Sequence, residues 1–419
     1  RSEARGPAPA LEEGSAPQIS APAEPEPEGE AAPWRIAGEV LNTYIIVEQG
    51  DTILFIDKHA AHERMNFDRM KAEGYTPMVQ TLLTPVTLHP PAEEGAALLA
   101  NLPLSPLIGD DGMLRSLYEM GVGNELFPLL IFIGIGALTD FGPLLENPKF
   151  VLLGAAGQFG IFLTLILALL LGFTRPEAAS IGIIGAIDGP TSIYVSAQLA
   201  PHLLGPITVA AYSYMSLVPI IMPPIMRLLT TKKERSIRMP YSSREISQRT
   251  RIIFPILVTI IVGILVPFAL PLIGTLMLGN LMRESKVVER LTGAAQNELN
   301  NIVTLFLGLA IGSTMVGENF IKPQTLFILV LGLGAFVLDT AAGVLFGKLM
   351  NLFSGGKFNP LIGAAGISAF PMAARVVQKE ASREDNGNFV LMHAMGANAA
   401  GQVASAMAGG VLLALMAGA

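Results

Sequence analysis

The chain has 419 residues, 51% of them hydrophobic and only 15% charged, against the roughly 25% usual in soluble domains. Its mean hydropathy of +0.52 excludes a disordered chain and a single soluble globule, and 43 Gly with 30 Pro suit a polytopic membrane protein. The absence of Cys excludes disulfide frameworks, thiolate zinc sites, iron–sulfur clusters and cysteine nucleophiles.

Charge divides the chain in two. Up to Gly112 there are 7 Lys/Arg and 18 Asp/Glu, a net of −11; from Met113 onward there are 20 and 16, a net of +4. Residues 1–33 carry recurrent Pro among acidic residues and bury too little to offset their ordering entropy, so they read as a disordered linker. They lack the basic start and apolar run of a signal peptide, and the chain begins at Arg1 rather than Met, so an upstream portion is expected.

From Trp34 order begins. Thr43–Glu48 and Thr52–Asp57 are β-rich runs around Gln49-Gly50-Asp51, which predicts a hairpin. A helix should follow, capped by Asp57 and ending at Gly74. Asp57, His59 and Glu63 would converge where strand meets helix, a nitrogen and oxygen set able to hold a divalent metal. The same pattern is common on ordinary charged helix faces. AGEVLNTYIIVEQGDTILFIDKHAAHER resembles the start of the C-terminal domain of the mismatch-repair protein MutL, and the acidic Pro-rich stretch resembles that family's interdomain linker. The family's metal-dependent endonuclease motif, D-Q-H-A-x-x-E-x-x-x-x-E, matches at Asp57, His59, Ala60 and Glu63, with Lys58 in place of Gln and Asp68 in place of the second Glu. The resemblance covers about residues 34–95, without the family's ATPase domain or later motifs. The expected reading is a truncated α/β fragment that cuts no DNA, and no nucleic-acid partner is expected at a net of −11.

From Leu126 apolar segments long enough to span a bilayer recur, near 126–145, 150–173, 179–200, 203–229, 252–283 (one span or two), 298–317, 324–353, 358–377 and 387–417. The 231–251 loop carries Lys232, Lys233, Arg235, Arg238, Arg244, Arg249 and Arg251 against two Glu, which places it in the cytoplasm by the positive-inside rule. Phe132–Ala137 followed by Glu146–Lys149 resembles Phe306–Ile311 followed by Phe320–Pro323, so two repeats are expected, about 126–229 and 298–417. Each reaches a Gly/Pro-interrupted stretch, Ile181–Thr191 and Asn359–Pro371. Such matching interruptions point to a transporter's midplane site. Asp188 lies within the first, where an intramembrane acid costs about 2.5–3.5 kcal/mol and is functional by default. Asn359, Ser368 and Asn398 could add neutral oxygens, a hard-donor set suited to Na⁺. Arg375, two turns after Ser368, suits a carboxylate, or snorkels at the helix end.

GAIDGPTSIY, AYSYMSLVPIIMPPIMRLLTTKKER, AQNELNNIVT, NPLIGAAGISAFPMAARVVQK and LMHAMGANAAGQ resemble the β subunit of the sodium-translocating biotin-dependent decarboxylases, the oxaloacetate, glutaconyl-CoA and methylmalonyl-CoA enzymes among them. The resemblance runs from about Leu99 to the end, with the family's first apolar segment replaced by the MutL-like piece. It implies a multi-pass inner-membrane subunit that decarboxylates carboxybiotin with proton consumption and drives Na⁺ outward. Asp188, Asn359, Ser368 and Asn398 are then the Na⁺ ligands, Tyr214 the proton donor and Arg375 the holder of the carboxybiotin carboxylate. The implied partners are a carboxyltransferase α subunit, a biotin-carrier subunit, a small membrane-anchor subunit and membrane lipid. The alternative is a Na⁺-coupled transporter of an organic anion.

The expected architecture is mainly α: a polytopic helical membrane protein with inverted-type repeats and interrupted helices over 96–419, preceded by the 34–95 fragment and the linker. The seam, around Glu94 to Leu102, suggests a chimeric reading frame.

Overall fold

The computed structural model describes residues 112–239, 246–315 and 322–417, together with the backbone of three strands before them. The 1–33 linker, the helix expected after Asp57, and His59, Glu63 and Asp68 lie outside the described residues. The chain divides into two compact units, Arg1–Thr87 and Leu88–Ala419.

In the first unit, β2 (Tyr44–Gln49) and β3 (Thr52–Asp57) pair antiparallel with Gln49 opposite Thr52, the hairpin that Gly50-Asp51 predicts. A further strand, β1 (Trp34–Val40), pairs with β2, its register shifting between Ile36 and Gly38. That irregularity breaks the period-2 pattern, which is why β1 was not legible in the sequence. Asp57 closes β3.

The second unit is helical. Its first half comprises α1 (Leu126–Leu138), α2 (Val151–Ala156), α3 (Phe159–Leu170), α4 (Arg175–Gly182), α5 (Gly189–Leu199) and α6 (Leu204–Leu229). The short α7 (Lys232–Arg235) is capped by Thr231 and opens the basic loop. The segment expected as one span or two is two helices, α8 (Gln248–Leu265) and α9 (Leu270–Ser285). Pro267 separates them, because the residue before a proline is driven out of the helical region, and Val266 is at φ −138°, ψ 75°. The second half comprises α10 (Asn300–Gly312), α11 (Pro323–Phe353), α12 (Met372–Glu384) and α13 (Leu391–Ala417). Both halves run in one order: a short apolar helix, a long span, an interrupted segment, a long final helix.

Five helical segments among the described residues are long and apolar enough to cross a membrane: Pro148–Leu170, Pro201–Leu229, Gln248–Leu265, Pro323–Phe353 and Leu391–Ala417. On α8, Ile256, Ile260 and Ile264 are 46%, 54% and 75% exposed. A helix apolar on its outward face is stable only against lipid. Inside, Gly343 of α11 and Gly363 of the second interrupted segment meet backbone to backbone, where any Cβ would clash. Small residues of this kind let membrane segments approach closely, and here they seat the interrupted segment against the long span.

Candidate cation site between the interrupted segments

The first interruption has an identifiable cause. Pro190 sits in the first turn of α5, where its missing N–H is harmless, whereas a helix continuing through it would lose that bond and crowd the carbonyl of residue 186. The chain therefore leaves α4 through a 3₁₀ turn, Ile183–Ala186. Ile187 then adopts φ 55°, a strained left-handed conformation for a β-branched residue. Asp188 follows in an extended conformation as the N-cap of α5.

The broken ladder frees the Ala186 carbonyl. Ser368, from the second interrupted segment, takes it, donating its hydroxyl at 2.5 Å and its N–H at 3.4 Å. This contact ties the two interruptions together. Asp188 is buried, and its Oδ2 accepts from the Thr191 hydroxyl at 2.5 Å and the Ser405 hydroxyl at 3.4 Å. Ser405 stands on α13 with Asn398 and Gln402, at a spacing that shares one helix face. Asn398 donates Nδ2 to the Ile367 carbonyl at 2.7 Å, and Gln402 donates Nε2 to the Ser368 carbonyl. Their amide oxygens, Oδ1 and Oε1, are buried without a hydrogen-bond partner.

Asp188, Ser368 and Asn398 are thus linked through α13 and the Ala186 carbonyl. Asn359 is not brought into this group. Its Nδ2 donates to the Arg235 and Ile237 carbonyls at 3.0 and 2.9 Å, and its Oδ1 accepts from the Leu361 N–H at 3.0 Å. The side chain caps the 3₁₀ turn Pro360–Gly366 and latches it to the end of α7. Tyr214 donates to the Leu329 carbonyl of α11 at 2.5 Å, and its ring lies against Gly332. Tyr212, on the other side of α6, lies against Gly189, the residue next to Asp188. Arg375 is exposed in the first turn of α12.

Sequence reasoning missed Thr191, Gln402 and Ser405. Their signal was available: 398, 402 and 405 are polar positions at helical spacing in an otherwise small and apolar run. The donor set is one carboxylate, hydroxyls and amide oxygens, and no cluster of three or more His, Asp or Glu occurs among the described residues. Such hard, low-charge donors fit an alkali cation better than a transition metal.

α12 is held from the basic-loop side. Arg227 pairs with Glu380, Arg235 with Glu384, and Arg238 with Asp385, at closest distances of 2.5, 2.6 and 2.6 Å. The Arg235 hydrogen bond holds the Glu384 carboxyl below its ordinary range, and the Arg238 hydrogen bond does the same for Asp385.

Residues 79–416 match the family model of the Na⁺-transporting oxaloacetate decarboxylase beta subunit. Residues 37–104 match that of the MutL C terminal dimerisation domain, so the two matches overlap over 79–104. The oxaloacetate decarboxylase beta chain of Klebsiella pneumoniae is 58% identical over 308 residues, 72% of this chain and 71% of the relative. The methylmalonyl-CoA decarboxylase subunit beta of Veillonella parvula is 55% identical over 76% of this chain and 84% of the relative. The glutaconyl-CoA decarboxylase subunit beta of Acidaminococcus fermentans is 51% identical over 83% and 89%. With a family match across most of its length and its set of apolar spans, the chain is a multi-pass inner-membrane protein that belongs to the family of Na⁺-transporting decarboxylase beta subunits.

Proposed function

We propose that this chain decarboxylates carboxybiotin and uses the free energy released to move Na⁺ outward, at a cation site formed by Asp188, Ser368 and Asn398 together with Thr191, Gln402 and Ser405. The observation that carries the reading is the pair of unpartnered, buried amide oxygens on α13 beside an acid held at a helix break. An unmet acceptor inside a membrane is costly, and a cation satisfies it.

Arg375 lies at the start of α12, which the three ion pairs tie to the basic-loop, cytoplasmic side. There it receives the carboxylate of carboxybiotin delivered by a biotin-carrier subunit, itself charged by a carboxyltransferase α subunit; a small membrane-anchor subunit completes the complex. Decarboxylation releases CO₂ and takes up one proton. Tyr214, a phenol on the helix that packs beside the first interruption, supplies it. The 34–95 segment has no activity of its own in this chain.

The test is Na⁺ uptake into inverted vesicles carrying the complete complex. Avidin should abolish uptake driven by the decarboxylated acid. Uptake that persists with avidin would instead favour a biotin-independent Na⁺-coupled anion transporter.

A further inference from the structure

One intramembrane acid takes no part in the cation site. Asp339, near the middle of α11, is fully buried. Its Oδ1 accepts the N–H group of Gly160 in the first turn of α3. That donor is available because the span breaks at Gly157 and Gln158, and a helix start leaves its first N–H groups without partners. Oδ2 has no hydrogen-bond partner. It faces Gly185 in the first interrupted segment, where a Cβ on the glycine would come to 2.6 Å of it. Gly185 is three residues before Asp188, so two acids flank one short, strained piece of chain.

Among the described residues no cation pairs with Asp339. α2, α3 and the turns 183–186 and 360–366 carry no ionisable side chain. On α4, Arg175 and Glu177 stand at the capped end. On α6, the Tyr214 hydroxyl is committed to Leu329 and Arg227 to Glu380, while Tyr212 lies at Gly189. On α11 itself, Lys348 is bonded to the Leu229 carbonyl and Glu234. An ionised Asp339 would hold a bare anionic oxygen against hydrocarbon, where a carboxyl takes a proton instead. Gly185, with no side chain, is what lets the first interrupted segment pack this close to Oδ2.

We propose that Asp339 is a proton-binding site, protonated in this conformation, whose loss of that proton displaces the Gly185–Asp188 segment. Ionised, Oδ2 demands a donor that the packed segment does not offer, so the segment must move to admit water. What the proton is coupled to rests on the Na⁺ reading above; the site itself does not. If a proton at Asp339 and a cation at Asp188 bias the same segment, each alters the other's binding by the same factor.

The experiment uses the full chain in membranes, as wild type, Asp339→Asn and Asp188→Asn. Asn keeps an acceptor for the Gly160 N–H and is nearly isosteric with the protonated acid. In pH-jump infrared difference spectra, a carboxylic-acid C=O band that shifts in D₂O should be lost on raising the pH. It should be present in the wild type and Asp188→Asn and missing from Asp339→Asn. A band unchanged in Asp339→Asn, or none in the wild type, would overturn the proposal. Thermal unfolding of Asp339→Asn should match the wild type at neutral pH; marked destabilisation would show that α3 needs the negative charge, and would also overturn it. The Na⁺ concentration that protects against heat should vary with pH by roughly tenfold in the wild type and not at all in Asp339→Asn. If no variant shows Na⁺ protection, the cation reading has failed, and the infrared band decides Asp339 for or against.

Discussion

Arg227 and Glu380 form a two-point ion pair, Nε to Oε2 at 2.7 Å and Nη2 to Oε1 at 2.5 Å, which binds the last helix of the first repeat to the helix that follows the second interruption. The Glu380 side chain is 4% exposed and that of Arg227 40%, so the acid depends on its partner more than the base does. Glu380→Gln should lower stability by about 1–3 kcal/mol, because it weakens a charge-assisted bond at a buried position. Thermal unfolding in detergent checks this. The Arg227→Glu, Glu380→Arg exchange should recover part of the loss, and no recovery would show that local packing, not the pair, sets the cost.

Glu384 and Asp385 make the same tether sensitive to acid. Both carboxyls are held below their ordinary range by their arginines. A group depressed in the folded state stabilises it above the unfolded pKa, and that contribution is lost as pH falls through the folded value. The end of α12 should therefore loosen only below about pH 4, the usual carboxylate range. In Arg238→Ala the Asp385 contribution should be missing at every pH, so this end of α12 should be looser at neutral pH and change less with acid. Hydrogen exchange across residues 382–390, corrected for intrinsic rates, reads the difference, and identical profiles would remove Arg238 from the tether.

At the cation site, Asp188→Asn should abolish Na⁺ transport and carboxybiotin decarboxylation together, while assembly with partner subunits survives. Asn398→Ala removes one neutral oxygen and should weaken Na⁺ by roughly tenfold, the scale of a hydrogen bond to a charged group. Sodium-22 uptake and heat protection measure both. Na⁺-dependent turnover retained in Asp188→Asn would sink the site.

Arg375→Ala should leave Na⁺ protection intact but make its affinity indifferent to the occupancy of the biotin carrier. Lys at this position should rescue only part of the coupling, since it keeps the charge and loses the fork that matches a carboxylate. An Ala variant that still couples would make Arg375 a residue of the helix end alone.

Deleting residues 1–90 should leave membrane insertion unchanged, because the charges that orient the chain lie in the 231–251 loop. Fractionation of membranes measures insertion. A 34–95 fragment should lack Mn²⁺-stimulated nicking; nicking that Glu63→Ala removes would falsify this.

How much of the molecule can be read from its residues depends on the range of the force involved. The hairpin at Gly50-Asp51 and the interruption around Pro190 were determined by the sequence alone, since turn chemistry and proline sterics act within a few residues; whether 252–283 was one span or two was left open, and the structure divides it at Pro267. Asp188 stood out for a similar reason: an acid in an apolar run is costly wherever that run packs. Partnership was decided only by the tertiary structure. Asn359 and Asn398 look alike as polar residues in Gly-rich surroundings, yet one satisfies its whole amide, the nitrogen on the end of α7 and the oxygen on the Leu361 N–H, while the other bonds the Ile367 carbonyl and keeps its oxygen bare. Tyr212 and Tyr214 are two residues apart, and the helical turn sends one to Gly189 and the other to α11. Asp339 obeys the same rule, an acid in the apolar 324–353 span, yet the sequence reading passed it over. Only the approach of α3 and Gly185 shows one oxygen with a donor and the other with none, because hydrogen-bond satisfaction belongs to the packed assembly and not to any single segment.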